Sequence, residues 1–100
     1  MTTPEGKLKT QVKAYLRSIG AQMFMPRPTE WGHNAVDFIC CVRGRYVAIE
    51  TKTWPRKATP RQLAFLRGVQ EAGGIAFVAY DMEAVYANLT PLVGLTTDVA

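Results

Sequence analysis

One stretch of the chain, residues 35–52, decides the fold, and it reads AVDFICCVRGRYVAIETK. Apolar, aromatic and β-branched residues fill both of its halves, 35–42 and 45–52, which favours two β-strands. Arg43 and Gly44 separate the halves, and a Gly at this place suits a tight turn. The sequence therefore predicts an antiparallel β-hairpin at the centre of the fold.

The second strand of this hairpin ends in charged residues. Because side chains alternate along a strand, Glu50 and Lys52 point to the same side of the sheet. If the turn between the two strands has two or four residues, Asp37 lies opposite Glu50 or Lys52 on the neighbouring strand and on the same face of the sheet. A three-residue turn would place the Asp37 side chain on the opposite face of the sheet. A charge buried here is costly unless it is paired or bound to a metal. Two readings follow, a metal centre or a half-exposed salt bridge at the end of the sheet.

The chemistry of the two acids favours the metal. Opposed residues of an antiparallel pair have Cβ atoms roughly 4.5–5.5 Å apart, so Asp37 and Glu50 repel each other unless a cation lies between them. Carboxylate oxygens are hard ligands that suit Mg²⁺ or Mn²⁺. Lys52, one pleat further along, is then placed to stabilise negative charge that develops on a phosphate.

Further elements on both sides of the hairpin predict an α/β domain with a mixed central sheet flanked by helices, in the order α-β-β-β-α-β-α. Helix caps, apolar periodicity and turn residues give their approximate bounds. The predicted elements are a helix over Pro4–Ser18, a strand over 21–25, a loop over 26–34, the hairpin, a helix that Thr59 caps and Gly73 ends, a strand over 75–80 and a short helix over 82–89.

Composition limits the class of protein. One hundred residues predict a single domain, 1–100. With 48% hydrophobic and 20% charged residues, the chain is typical of globular rather than disordered protein. No apolar run has the length of a signal peptide or a membrane span, so no membrane partner is expected. Cys40 and Cys41 are adjacent and indicate neither a disulfide framework nor, with one histidine, a zinc site. We expect a cytoplasmic protein.

The charge is unevenly distributed along the chain. Residues 1–80 carry twelve Lys and Arg against five acids, a net charge of +7, whereas the last twenty residues carry three acids and no base. A basic body is typical of proteins with a polyanionic partner, because neutralised phosphates release counterions.

The spacing of the charged residues resembles a known signature. Asp37, followed thirteen residues later by Glu50-Thr51-Lys52, is similar to the motif of the PD-(D/E)XK nuclease superfamily, and within it the chain most resembles the VRR-NUC domain. An early Glu on the first helix matches Glu5, and a Gln that opens the second helix matches Gln62. The family's Pro before the Asp is Val36 here, which favours the same extended backbone.

This resemblance spans roughly residues 5–80 and implies both a fold and an activity. The implied fold is the restriction-endonuclease-like core, and the implied activity is hydrolysis of DNA by a Mg²⁺- or Mn²⁺-dependent endonuclease. A stand-alone VRR-NUC domain resembles those of phages and prophages, which implies a homodimer in a bacterial cytoplasm that cuts branched DNA such as four-way junctions. The implied metal ligands are Glu5, Asp37, Glu50 and the backbone carbonyl of Thr51, and the implied catalytic residues are Asp37, Glu50, Lys52 and Gln62.

The residues around this motif predict a surface for nucleic acid. Arg56, Lys57 and Arg61 directly follow Lys52 and suit phosphates that flank the cleaved bond. Trp54 and Trp31 suit stacking on bases, and His33 suits a phosphate contact rather than general-base catalysis. The basic residues of the first helix, by contrast, are interpreted as a solvated face; they are Lys7, Lys9, Lys13 and Arg17.

Several alternatives stay open at this point. Instead of binding a metal, Glu5 could stabilise the start of its helix through the helix dipole. Instead of acting in catalysis, Gln62 could form a capping box with Thr59. Tyr86 and the segment Leu89–Leu95 either form a dimer interface or pack on their own sheet. The whole chain is either a nuclease, a non-catalytic nucleic-acid-binding module that keeps the fold, or a small basic structural or RNA-associated protein.

Overall fold

The predicted hairpin lies in the middle of a four-stranded mixed sheet in a computed structural model that describes residues 3–24 and 36–94. The α/β class and the order α-β-β-β-α-β-α are confirmed. The elements are α1 (Pro4–Ser18), β1 (Gln22–Phe24), β2 (Phe38–Val42), β3 (Arg45–Thr51), α2 (Pro60–Glu71), β4 (Ile75–Ala79) and α3 (Met82–Val93).

The hairpin turn sets the register of the sheet. Its connection has two residues, Arg43 with φ 51° and Gly44 with φ 82°, and this pair of positive φ angles matches the twist of the strands that it joins. Val42 then pairs with Arg45 and Phe38 with Ile49. Of the connection lengths considered, the two-residue one is thereby observed.

The hairpin is extended on both sides to give the order β1-β2-β3-β4. The pairs β1–β2 and β2–β3 are antiparallel, whereas β4 runs parallel to β3 after the crossover through α2. Strand β3 is therefore an interior strand, with a neighbour on each side.

The helices cover the two faces of the sheet separately. On one face, Leu16 of α1 and Leu89 of α3 pack with Phe38 and Ile49 in the larger core. On the other face, Leu66 of α2 belongs to a smaller core under that helix. Both faces of β3 are covered, which accounts for the full burial of the residues from Val47 onward.

The third helix is longer than predicted. It continues to Val93 through Pro91. A proline in the last turn removes one backbone N–H donor, and the burial of Leu89 and Leu92 in the larger core compensates. These two leucines pack on their own sheet, and the ring of Tyr86 lies 5.0 Å from that of Tyr15. Leu89 and Leu92 therefore pack within the chain, whereas Tyr86 is 44% exposed and residue 95 lies outside the described residues, so the dimer interface stays a prediction.

The two cysteines lie on opposite faces of β2, as the alternation requires. Cys40 is buried, and this burial raises the pKa of its thiol to about 11, whereas Cys41 is exposed. Both are free thiols. Within the described ranges, no helix has the length and apolarity needed to cross a bilayer.

Candidate functional site

The end of β3 holds a buried pair of opposite charges. Glu50 is 3% exposed and Lys52 is 9% exposed, and their atoms Oε2 and Nζ are 3.4 Å apart. The backbone N–H of Lys52 donates to the carbonyl of Ala79 at 3.0 Å, so that the parallel pairing with β4 continues past the last strand residue. The pair is therefore built into the interior of the sheet: the salt bridge of the second reading is present, but it is buried rather than half exposed.

Asp37 joins this pair through its backbone. Its N–H donates to Oε1 of Glu50 at 3.1 Å. Its carboxylate is held elsewhere, because Oδ2 accepts hydrogen bonds from the backbone N–H of Thr51 at 2.9 Å and from the Thr51 hydroxyl at 2.5 Å. Thr51 is fully buried, so this short bond fixes the position of the Asp37 carboxylate relative to β3.

The position of the Asp37 side chain corrects one detail of the sequence prediction. Strict alternation places Val36 on the same face as Phe38, but Val36 packs with Ala48 and Leu66 in the core under α2. Residues 36 and 37 form a bend before β2 begins, which shifts the alternation by one residue. Asp37 consequently points toward α1 rather than standing beside Glu50 on one regular face.

Two further groups approach Asp37 from α1. The ammonium of Lys9 lies 3.4 Å from Oδ1 of Asp37 and 3.4 Å from Oε2 of Glu5. Glu5 is one turn before Lys9 on the same helix, and it is partly buried. The other oxygen of its carboxylate, Oε1, is buried and has no hydrogen-bond partner among the described residues.

The prediction that Lys9 belongs to a solvated face is correct for its partly exposed side chain but misses the pairing of its ammonium with two acids. A signal for its role was present in the sequence, since Glu5 and Lys9 are four residues apart and such pairs meet on a helix surface. Glu5 lies at the start of the buried face of α1, which Leu8, Val12 and Leu16 form. Lys9, one turn after Glu5, therefore lies at the edge of that face, where its side chain reaches Asp37.

The charges of this site shift two pKa values. Burial raises the pKa of the Glu50 carboxyl, the nearby Asp37 carboxylate raises it further, and the Lys52 ammonium opposes both effects without cancelling them. For Lys9, burial lowers the pKa, but the carboxylates of Asp37 and Glu5 outweigh burial and hold it above its ordinary value. Lys9 is therefore charged at any physiological pH.

The oxygen atoms of this site suit a hard divalent cation. No three His, Cys, Asp or Glu side chains within residues 3–24 and 36–94 form a ready-made ligand cluster. The Asp37 carboxylate is nevertheless close enough to Glu50 to raise the pKa of that carboxyl, and Glu5 reaches Asp37 through Lys9. Oε1 of Glu5 has no hydrogen-bond partner among the described residues, and a carboxylate oxygen in this position can accept a cation or a donor.

The remaining predicted residues are distributed around this centre. Gln62 is engaged in the capping box of α2, where its Oε1 accepts from the Thr59 N–H at 2.9 Å and its own N–H donates to the Thr59 hydroxyl at 3.1 Å. Arg56 lines a cleft of about 380 Å³ together with Glu5 and Lys9. The capping alternative for Gln62 is thus observed, and Arg56 is the predicted phosphate contact that the structure brings beside the acids.

The other predicted contacts for nucleic acid are on the surface. Lys57 and Arg61 are exposed, and Trp54 is 78% exposed with its ring 6.5 Å from that of Tyr80. The predictions for Trp31 and His33 concern positions outside the described residues. Trp54 and the neighbouring Tyr80 are therefore exposed aromatic side chains near the end of β3.

No protein-family model matches the chain, and neither a curated protein nor a solved structure matches it. The resemblance to the VRR-NUC domain remains a prediction that rests on Asp37, on Glu50-Thr51-Lys52 and on the positions of Glu5 and Gln62.

Proposed function

We propose that the chain is a Mg²⁺- or Mn²⁺-dependent DNA endonuclease of the VRR-NUC type with a PD-(D/E)XK core. The observation that carries this proposal is the buried pair Glu50 and Lys52 at the end of an interior strand, with Asp37 hydrogen-bonded beside it. A buried ion pair is weak as a stabilising device, because desolvation offsets much of its attraction. A buried ion pair that adds little stability but lies beside a second acid, Asp37, is better explained by a role in chemistry.

The residues of the centre divide the work of hydrolysis. Asp37, Glu50, the Thr51 carbonyl and Glu5 would hold a divalent ion. When bound, such an ion polarises the scissile phosphate and lowers the pKa of its water ligand. Lys52 supplies positive charge beside that phosphate, and its burial strengthens the interaction relative to one in water. Thr51 keeps the Asp37 carboxylate in place through two hydrogen bonds.

Branched DNA is the proposed substrate. Arg56, Lys57 and Arg61 lie on the segment that leaves the centre, where they suit the phosphates of a strand passing over it. Trp54 is exposed on the same segment and suits stacking on an unpaired base at a branch point. Symmetric incision of a four-way junction needs two centres, and a C2 homodimer supplies them. A phage or prophage origin, with action in the bacterial cytoplasm, follows from the same resemblance.

A cleavage assay tests the activity. The substrates are a four-way junction, a flap, a linear duplex and a single strand, each with Mg²⁺, Mn²⁺ or EDTA. The variants are Asp37→Asn and Glu50→Gln, which keep the shape of each side chain, and Lys52→Met. Glu83→Gln is the matched control, because Glu83 is exposed on α3 and lies in no part of the centre. We expect metal-dependent cleavage of the junction that each of the first three variants lowers by at least about a hundredfold.

One observation favours a second candidate function, a non-catalytic nucleic-acid-binding module. Protein groups already accompany every oxygen of the Asp37 and Glu50 carboxylates, namely Thr51, Lys9, Lys52 and the Asp37 N–H. A module of this kind binds the junction equally well in Mg²⁺ and in EDTA and cuts none of the four substrates. That result would replace the nuclease proposal. The structural or RNA-associated alternative predicts neither junction binding nor stabilisation by divalent ions.

A further inference from the structure

A lysine stands between two of the carboxylates to which the proposed function assigns a metal. The Lys9 ammonium is 3.4 Å from Glu5 on one side and 3.4 Å from Asp37 on the other. No interpretation of the sequence as a nuclease requires a lysine here. The inference below rests on the proposed function, and it concerns what this ammonium does to the centre.

Lys9 is held by long contacts to its two carboxylate partners and is accessible to solvent. Ammonium–carboxylate hydrogen bonds are typically about 2.7–2.9 Å long, and both contacts of Lys9 are longer. Its side chain is 41% exposed, whereas that of Lys52 is 11% exposed and paired inside the sheet. If the Lys52 ammonium moved away, the buried Glu50 carboxylate would lose its ion-pair partner. The carboxylates that pair with Lys9 are only partly buried, so Lys9 can move away more easily.

Space for such a movement exists on both sides of Lys9. One cleft, of about 380 Å³, is shared with Glu5 and Arg56. The other, of about 320 Å³, is shared with Asp37 and Lys13. Lys9 lines both clefts, so a rotation of its side chain toward either one separates the ammonium from the acids.

The charges of the centre favour this exchange when a divalent ion arrives. The three carboxylates and the two ammonium groups leave a net charge of −1. Without the Lys9 ammonium the same site has a net charge of −2, which a divalent ion balances. Movement of Lys9 also frees the carboxylate of Glu5, whose Oε1 is buried without a partner in the part of the chain that the structure describes.

We propose that Lys9 is the resident counter-ion of this centre and that a divalent ion displaces it from Glu5 and Asp37. Lys9 therefore lowers the affinity of the free protein for the metal, and it protects the acids from mutual repulsion until the metal binds. It is a positioning residue, since it acts on the carboxylates.

Calorimetric titration of the DNA-free protein with Mn²⁺ tests the inference. The variants are Lys9→Met and Lys9→Gln, which remove the charge, and Lys9→Arg, which keeps it. Lys13→Met is the matched control, because Lys13 lies one turn further along α1, lines the same cleft and forms no ion pair with the described acids. We expect Lys9→Met and Lys9→Gln to bind Mn²⁺ at least about tenfold more tightly than the parent. Lys9→Arg and Lys13→Met stay within about twofold of the parent.

Other outcomes have distinct meanings. If the parent binds Mn²⁺ and the neutral Lys9 variants bind it equally or more weakly, the counter-ion role is wrong and the metal centre stands. An equal gain for Lys13→Met shows a general effect of surface charge and also overturns the role of Lys9. Absence of Mn²⁺ binding by the parent and by every variant overturns the metal centre itself, and the inference falls with it.

A second measurement follows the ammonium directly. Acylation of lysines by acetic anhydride, read by mass spectrometry of peptides, reports how available each amine is. Because the Lys9 ammonium lies 3.4 Å from a carboxylate on each side, its amine is poorly available to the reagent while it is paired. We expect Mn²⁺ to accelerate acylation of Lys9 at least about threefold and to leave Lys13 unchanged. An unchanged rate at Lys9 under saturating Mn²⁺ overturns the displacement.

Discussion

Each oxygen of the Asp37 and Glu50 carboxylates meets a different partner. Thr51 and Lys9 contact the two oxygens of Asp37, and the Asp37 N–H and Lys52 contact those of Glu50. These contacts only partly offset the burial of Glu50, whose pKa is raised. At the scale of single residues, the negative charge of Glu50 is therefore only partly stabilised by its neighbours, and a further cation would stabilise it.

The raised pKa of Glu50 predicts how stability depends on pH. A carboxyl whose folded-state pKa exceeds its unfolded value, about 4.3, contributes stability that is fully present below that value. The contribution is lost as the pH rises through the folded-state pKa. Glu50→Gln does not titrate in this range, so its unfolding free energy minus that of the parent should increase as the pH rises from about 4 to neutrality.

Chemical denaturation in EDTA at several pH values measures this difference. Several pH values are needed because Glu50→Gln also removes the carboxylate that pairs with Lys52 wherever Glu50 is ionised, so a single pH does not separate this loss from the effect of burial. Glu83→Gln, at an exposed position, should show no such increase. A difference that instead falls with rising pH would mean that the Lys52 ammonium dominates burial at Glu50.

The sequence predicted some residues of the site and not others, for reasons that lie in the backbone. Glu50 and Lys52 follow from alternation, because they belong to a regular strand and its hydrogen-bonded continuation. Asp37 precedes β2 in a bend, where alternation no longer holds. The contact between Lys9 and Asp37 depends on the distance between α1 and the sheet. The helical periodicity of the sequence does not predict that distance.

At the scale of elements, local signals determined most bounds. The helix α1 begins after Thr3, whose hydroxyl accepts the Gly6 N–H at 3.0 Å, and α2 begins after Thr59 with both bonds of a capping box. The end of α3 was not predicted. Pro91 is a helix-breaking signal, and the burial of Leu92 in the core outweighs it.

The capping box of α2 gives a prediction for Gln62. Thr59→Ala and Gln62→Ala each remove one of two reciprocal bonds, so each should lower the unfolding free energy by about 1 kcal/mol. Gln11→Ala is the matched control, since Gln11 is an exposed residue inside α1 and should change stability by less than about 0.5 kcal/mol. Urea denaturation measures all three.

The same variants separate the two roles considered for Gln62. Cleavage of the junction by Gln62→Ala is compared with cleavage by Thr59→Ala, which perturbs the same helix start. A rate that falls for both variants reflects the position of α2. If only Gln62→Ala lowers the cleavage rate, the Gln62 carboxamide acts at the centre as well as in the helix cap. No loss of stability in either variant would contradict the capping box.

At the scale of the whole molecule, the hairpin separates two basic regions. Arg43 lies at the turn, and β3 runs seven residues from that turn to the acidic centre, or about 23 Å at the usual rise of a strand. Arg56, Lys57 and Arg61 lie beyond the other end of β3. If DNA passes over the centre, only the second region neutralises its phosphates.

Salt dependence of junction binding tests this arrangement. The logarithm of the binding constant falls with the logarithm of salt concentration by about 0.9 for each phosphate that a duplex contact neutralises. Arg56→Gln, in EDTA to prevent cleavage, should therefore reduce the magnitude of this slope by about 1. Arg43→Asn is the matched control, because Asn tolerates the positive φ of the turn and removes the same charge at the far end of the strand. If Arg43→Asn reduces the slope and Arg56→Gln does not, DNA lies along the hairpin turn, and the buried acids at the end of β3 are not where the strand is cut.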